Sequence, residues 1–473
     1  MKLKFFLLLT FFCIFIQVFS QSPSMGLDFD DESYSSVAQK APLTRALDVV
    51  PVSTSLKMYC PYPKDQGDHG TCVAWASGYC GRTIVEAIKN GWKNRDDITR
   101  KAYSSSFLFR LLRPDDTNCD GGSNIAIAFQ LLKDKGDMIF SDLPPLCVPG
   151  LSQVQMEKAS SSRIKDYQRL FEPTANSQFK IQAVKKSIAE NKPVVFGMMC
   201  PNSFFKAKGV WAPSEMPDAS MGGHAMCVVG YDDNKYGGAF EIQNSWGTDW
   251  GNEGYIWIKY DDYARFTKYA FEFVDLPEPK PNKPDLSGQL KLVLSTGEEM
   301  AANLLLSTRG LIVVEENNNK GPLTTYQTKK AYTFGTRFRI YISNNQPAYV
   351  YAISSDLSNA VTKIFPYKDG ISAALTDKRN DVAIPDENHF VQFDNQPGTD
   401  FLCILYSKKA LDINKVVSDI KSQQGSFNEK VFKALEKDLV DPKQITFSKE
   451  KISFQGSSFG KSVIALMIEM EHK

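Results

Sequence analysis

Apolar and polar positions divide the chain into a front part that turns from helical to strand periodicity and a rear part of short alternating runs. The polar stretch Gln66-Gly67-Asp68-His69-Gly70-Thr71 leads into Cys72. After it Cys72, Ala76, Tyr79, Cys80, Ile84 and Ile88 recur at helical spacing, which predicts a helix over 72–90. Residues 104–112 predict a second helix, and Ile125, Ala128, Phe129 and Leu132 a third. Ile181, Val184, Ile188 and Ala189 predict a short amphipathic helix stopped by Asn191-Lys192-Pro193. From Val194 the period changes. Runs at 194–199, 225–231, 240–243 and 255–260 are rich in β-branched and aromatic residues and read as strands.

The stretch from Leu276 to Pro284 carries prolines at 277, 279, 281 and 284, which neither continue a helix nor donate to a sheet. It predicts a domain boundary, with a linker over 277–289. Beyond it, strands are expected at 290–294, 311–314, 337–342, 348–353, 390–393, 401–406 and 463–468, with one or two helices between 411 and 439. This is an all-β, sandwich-like domain with a helical insertion over 290–473.

At 473 residues the chain is long enough for two or three domains and for a core without disulfide staples. A net charge of +1 argues against nucleic acid or an acidic membrane as the main partner. Lys2 and Lys4 precede the apolar run 5–19, and Ser20 offers a small residue for cleavage, so residues 1–20 read as a secretory signal peptide. No other stretch is apolar and long enough to span a bilayer, which predicts a secreted or periplasmic protein with no integral membrane segment after signal removal. Residues 21–50 are polar, with Asp28, Asp30, Asp31 and Glu32 clustered, and read as a loosely ordered arm. After removal of Cys13 the cysteines are Cys60, Cys72, Cys80, Cys119, Cys147, Cys200, Cys227 and Cys403. Those at 80, 200, 227 and 403 lie in apolar runs and read as buried free thiols.

Cys72 at the head of a helix lies where unpaired backbone N–H groups favour a thiolate, and a thiolate nucleophile needs a base. The histidines are His69, His224, His389 and His472. Gln66 before Cys72, the run Gly223-His224-Ala225 and the run Asn244-Ser245-Trp246-Gly247 together resemble the papain family of cysteine peptidases. The distance along the chain from Cys72 to His224 is close to the roughly 130–150 residues of such enzymes. A lone cysteine at a helix start, or a histidine on a strand, is more often structural; the company of all these residues reverses that reading.

The resemblance implies an α+β fold: a papain-like two-lobed domain over 51–276, a helical lobe facing a β-barrel lobe, with the substrate cleft between them. It implies that Cys72 attacks, that His224 takes and later returns the proton, and that Asn244 fixes the imidazole tautomer. Gln66 then donates to the oxyanion, and Trp246 shields the His224–Asn244 bond. Gly121 and Gly122 line the non-primed side of the cleft, and the pocket for the second residue before the cut forms near Ser123, Asn124 and Ala225. In the family the cysteine of the Cys119-Asp120-Gly121-Gly122 segment is bridged to one three residues before the nucleophile. His69 stands there, so that disulfide is expected to be absent, and His69 is read as a loop side chain without catalytic duty. Family zymogens carry a long helical pro-region, which the arm is too short to match. The rear domain resembles an accessory domain of uncharacterised role found in bacterial exported proteins, carried by Ala348-Tyr349-Val350-Tyr351, Ile364-Phe365-Pro366 and Asn395-Gln396-Pro397-Gly398.

The expected partner is a peptide or protein substrate, with the accessory domain free to bind an unknown partner. No cofactor is implied. There is no Cys-x-x-Cys or His-Glu-x-x-His spacing, so metal binding is rejected. The alternatives are another acyl transfer or an exopeptidase on the same fold, and a peptide- or partner-binding module with an idle site.

Overall fold

A computed structural model describes residues 24–41, 50–143, 147, 150–276, 279, 281, 283–305, 322–358, 360–376 and 382–473. The signal-peptide assignment and the strand expected at 311–314 lie outside the described residues.

The helix expected over 72–90 forms as one continuous run: Cys72–Ala74, a wider π-helical stretch Trp75–Arg82, then Thr83–Asn90, closed by Gly91 in the left-handed conformation. Two glycines let this run press onto the sheet. A Cβ at Gly81 would crowd Val195 and Phe273, and one at Gly78 would crowd Asp137 and Leu108. Helices Ser105–Leu112 and Ile125–Asp134 complete the helical lobe, their N-termini capped by Ser104 and Asn124. Two short helices without an apolar period, Arg95–Arg100 and Gln153–Ser160, are set by the caps Asn94 and Ser152.

The β lobe is one sheet whose central strands are Val194–Met199, Gly223–Asp232, Ala239–Gln243 and Tyr255–Lys259, paired antiparallel in that order. Asp166–Arg169 and Thr267–Val274 extend one side. Val210–Trp211 ends the other, and no pairing among the described residues joins the two ends into a closed barrel. The nucleophile helix packs on the strand Gly223–Asp232, and a single apolar core runs through both lobes.

Two features go beyond the sequence reading. First, residues 24–41 of the arm are packed rather than loose. Asp30 caps a short helix, Asp31–Ser36, and Tyr34 from that helix is buried against Tyr269, ring centroids 4.3 Å apart, its hydroxyl donating to the Phe171 carbonyl at 2.7 Å. A single aromatic anchor in an otherwise polar stretch outweighs the composition around it. Second, Cys119, whose pairing the sequence left open once position 69 proved to be histidine, forms a disulfide with Cys147, 28 positions further on. Cys60, Cys72, Cys80, Cys200, Cys227 and Cys403 are free and buried.

The rear domain is two packed sheets. One contains Arg337–Asn344, Leu286–Leu294 and Ser453–Gly456; the other contains Val463–His472, Gly398–Ser407 and Ala348–Ser355. Its first strand starts at Leu286, inside the 277–289 stretch. The period of two decides the layers. Ala348, Val350 and Ala352 face the core between the sheets, while Tyr349, Tyr351 and Ile353 face a second core under helices Ile413–Ser422 and Phe427–Leu435. Of the run expected at 390–393, only Val391–Gln392 pairs as strand.

Candidate active site

Cys72 begins its helix after Thr71, a residue that supplies no side-chain cap, so the first amides of the helix remain open toward the sulfur. His224 is the second residue of the strand Gly223–Asp232. Asn244 follows the neighbouring strand Ala239–Gln243 at the same end, because the register pairs Cys227 with Gln243. His224 Nε2 lies 2.7 Å from Asn244 Oδ1. A carboxamide oxygen only accepts, so Nε2 carries the proton and Nδ1 keeps its lone pair. That Nδ1 is buried and has no hydrogen-bond partner. The amide of the next residue, Ala225, reaches the Cys72 sulfur, so the strand that carries His224 from the β lobe passes beside the thiol of the helical lobe.

Trp246 stacks on His224, centroids 4.4 Å apart, and Phe205 stacks on the indole at 5.1 Å. The shielding role expected of Trp246 fits this geometry, while Phe205 had no signal in the chain beyond its aromatic type. Gln66 is held on both sides. Its backbone N–H donates to the Ser245 carbonyl at 2.8 Å, and Ser245 Oγ donates to its Oε1 at 2.6 Å. The Gln66 Nε2 is therefore the end left to donate. Ser245 sits inside the Asn-Ser-Trp run, yet nothing in the sequence alone marks it as the residue that orients Gln66.

The loop carrying Gly121 and Gly122 is tied by Asp116, whose carboxylate accepts from the amides of Cys119 and Gly121, both at 2.8 Å. Ser123 and Ala225 are buried beside the arm. His69 lines a small cavity with Thr71, Trp75, Phe109 and Cys147, and only its carbonyl takes part, accepting from Gln66 Nε2 at 2.7 Å.

The cleft is filled by the arm itself. Ser24 gives its carbonyl to Gln66 Nε2 at 3.1 Å. Gly26 accepts from the Ser123 amide at 2.8 Å, Leu27 donates to the Gly223 carbonyl at 3.1 Å, and Asp28 donates to the Ser123 carbonyl at 2.9 Å. A Cβ at Gly26 would collide with the Gly70 carbonyl, one at Gly122 with the Asp28 carboxylate, and one at Gly197 would crowd the Leu27 side chain. A separate cavity of about 540 Å³ lined by Gln178, Lys185, Tyr260 and Asp262 lies away from these residues.

This filling governs the charge state. Burial pushes the Cys72 thiol up to about 11, against the pull of the Ala225, Gly26 and Val73 amides and its own. Burial likewise pushes His224 down to about 4, opposed by the bond to Asn244. With the arm seated, both shifts favour the neutral thiol and the neutral imidazole over the thiolate–imidazolium pair. A depressed histidine binds its proton less well folded than unfolded, so its contribution to stability is lost as pH falls from the ordinary value of 6.5 towards 4. The unfolding free energy of the wild type, from urea titration, should therefore fall faster over that window than that of His224→Gln, by roughly 3 kcal/mol at most. Parallel pH profiles for the two proteins would contradict the assignment of the buried neutral ring.

Residues 54–271 match the model of the papain family cysteine protease, and residues 331–410 match a domain of unknown function, DUF4384. Cysteine proteinase 3 of Entamoeba histolytica is 30% identical over 223 residues, 46% of this chain and 65% of that protein. Cathepsin K of Gallus gallus is 28% identical over 202 residues, 42% of this chain and 55% of that protein. The chain thus spans less than two thirds of the length of these relatives. The crystal structure of xylellain, a cysteine protease from Xylella fastidiosa, superposes with a TM-score of 0.43 at 23% identity, covering 53% of this chain and 95% of that one. The two-lobed front domain of this chain belongs to the papain family of C1 peptidases.

Proposed function

We propose that the chain is an exported cysteine peptidase that cleaves peptide bonds through a thioester acyl-enzyme. In this reading residues 51–276 are catalytic, 277–289 connect, and 290–473 are accessory. The observation that carries it is the His224–Asn244 pair under Trp246, with Gln66 oriented by Ser245 next to Cys72.

His224 Nδ1 takes the proton from Cys72, and the sulfur adds to the scissile carbonyl carbon. The carbonyl electrons move to oxygen, where Gln66 Nε2 and the Cys72 amide donate to the oxyanion. The imidazolium returns its proton to the leaving amine as the carbon–nitrogen bond breaks, leaving a thioester. His224 then removes a proton from water, the hydroxide adds, and the acid departs as Cys72 recovers its proton. Gly121, Gly122, Ser123 and Ala225 are assigned to the substrate. The backbone pairing of the arm with Ser123 and Gly223 supports this, since an extended peptide would use the same groups. The complete catalytic set weighs against an idle binding module. Export rests on the amino-terminal charge and apolar pattern, and no helix among the described residues is long and apolar enough to cross a membrane.

The test uses Gly26→Val, whose side chain cannot seat against Gly70, so that the cleft is open. Incubated with a random peptide library, it should yield internal cleavages with a shared preference. A library recovered intact would reject the peptidase reading.

A further inference from the structure

The arm that fills the cleft is gripped at its other end by the rear domain. Val37 packs in the core of the two-lobed domain, whereas Ala41 packs in the core between the two rear sheets. Between them Gln39 lies as a one-residue strand between Arg169 and Ile371. Its amide donates to the Gly370 carbonyl at 2.6 Å, and its carbonyl accepts from the Ser372 amide at 2.7 Å. On the opposite side Lys40 donates to the Arg169 carbonyl at 2.8 Å. The seam around this point is sealed by Tyr349, whose hydroxyl donates to Asp166 at 2.8 Å, by Lys192 bonded to Thr376, and by Val274 and Leu276 against the tyrosine face of the rear sheet.

From this grip to the cleft the arm has little independent stiffness. The helix Asp31–Ser36 is far below the length that is stable alone. The cleft segment itself is held by backbone bonds, by the Gln66 side chain on the Ser24 carbonyl and by the buried Leu27 side chain, while the exposed ion pair of Asp28 with Arg113 at 3.2 Å contributes little. The arm is thus fixed by Leu27, Tyr34 and Val37 against the two-lobed domain and by the rear domain at its base.

We propose that the C-terminal β domain is a retainer: by holding residues 39–41 as an added strand, it keeps Ser24–Asp28 seated over Cys72 and the cleft closed. This rests on the reading of the cleft as the substrate site. Displacing the rear domain from residues 39–41 would open the cleft without cutting the chain. The role is one that a peptide-binding rear domain would not require.

The readout is the rate at which iodoacetamide alkylates Cys72 in the full chain, located by peptide mass spectrometry, which needs no peptidase activity. Gly26→Val should react at least about 10-fold faster than wild type, as expected when a local opening equilibrium guards a thiol. Ser372→Pro removes the donor to the Gln39 carbonyl and should approach Gly26→Val, since one lost hydrogen bond shifts the opening by about 10-fold. Should Ser372→Pro fail to fold, the double variant Tyr349→Phe/Thr376→Val, which loosens the seam elsewhere, decides instead. Wild-type rates in the folded retainer variants, beside a fast Gly26→Val, would overturn the retainer. A slow Gly26→Val would overturn it as well, because the arm would then not guard the sulfur. Fast alkylation without peptide cleavage would leave the retainer standing and remove the peptidase reading.

Discussion

In the Gly26→Val background, Cys72→Ala and His224→Ala should each lower kcat/KM for a cleaved peptide by roughly 10⁴-fold or more, and the double replacement should cost little beyond either one. The reason is that the two groups perform a single proton exchange. Without the Nδ1 lone pair the thiol has no base to take its proton as the sulfur attacks. Without the sulfur the imidazole has nothing to deprotonate. The wild-type background would hide this, because the arm shuts substrate out of the cleft in every variant alike. Losses that simply multiply in the double variant would show that the two residues act separately, and the shared-proton account would fail.

Gln66→Ala in the same background should lower kcat by about 10²–10³-fold with KM nearly unchanged, the cost of removing one donor to an oxyanion. Ser245→Ala should follow in the same direction and by less, because Ser245 Oγ fixes which end of the Gln66 amide faces the reacting carbon but touches no substrate. Gln66→Glu is the informative control. Its carboxylate would sit where negative charge develops, so it should be no better than alanine. A KM effect without a kcat effect would recast Gln66 as a ground-state contact, the place it now occupies toward Ser24.

The candidate set was legible because each part is local: Gln66 to Cys72 is one loop and one helix start, and His224 and Asn244 lie at the same end of neighbouring strands. Fold class was legible for the same reason, since the period changes at Val194, where a strand begins, and the prolines after Leu276 precede the strand that begins at Leu286. What escaped depends on contacts between distant segments. The arm reads as polar and loose, yet its order comes from Tyr34 meeting Tyr269 and from backbone bonds of Gly26, Leu27 and Gln39 to partners that no periodicity foretells. The disulfide escaped because Cys147 follows a proline-rich stretch with no regular pattern to carry it back to Cys119. The charge state of the thiol was not legible, because a helix end contributes a fraction of a charge and burial pushes the other way. The short length of the arm argued against a covering segment; a few extended residues suffice when they pair with both cleft walls.

The most direct test of the central claim is intact-protein mass spectrometry of Gly26→Val mixed briefly with a peptide p-nitrophenyl ester and quenched in acid. The account predicts a mass increase equal to one acyl group, mapped to Cys72 and absent from Gly26→Val/Cys72→Ala. An acyl group spread over the other free thiols, or no adduct while the ester is consumed at equal rates by both proteins, would contradict it.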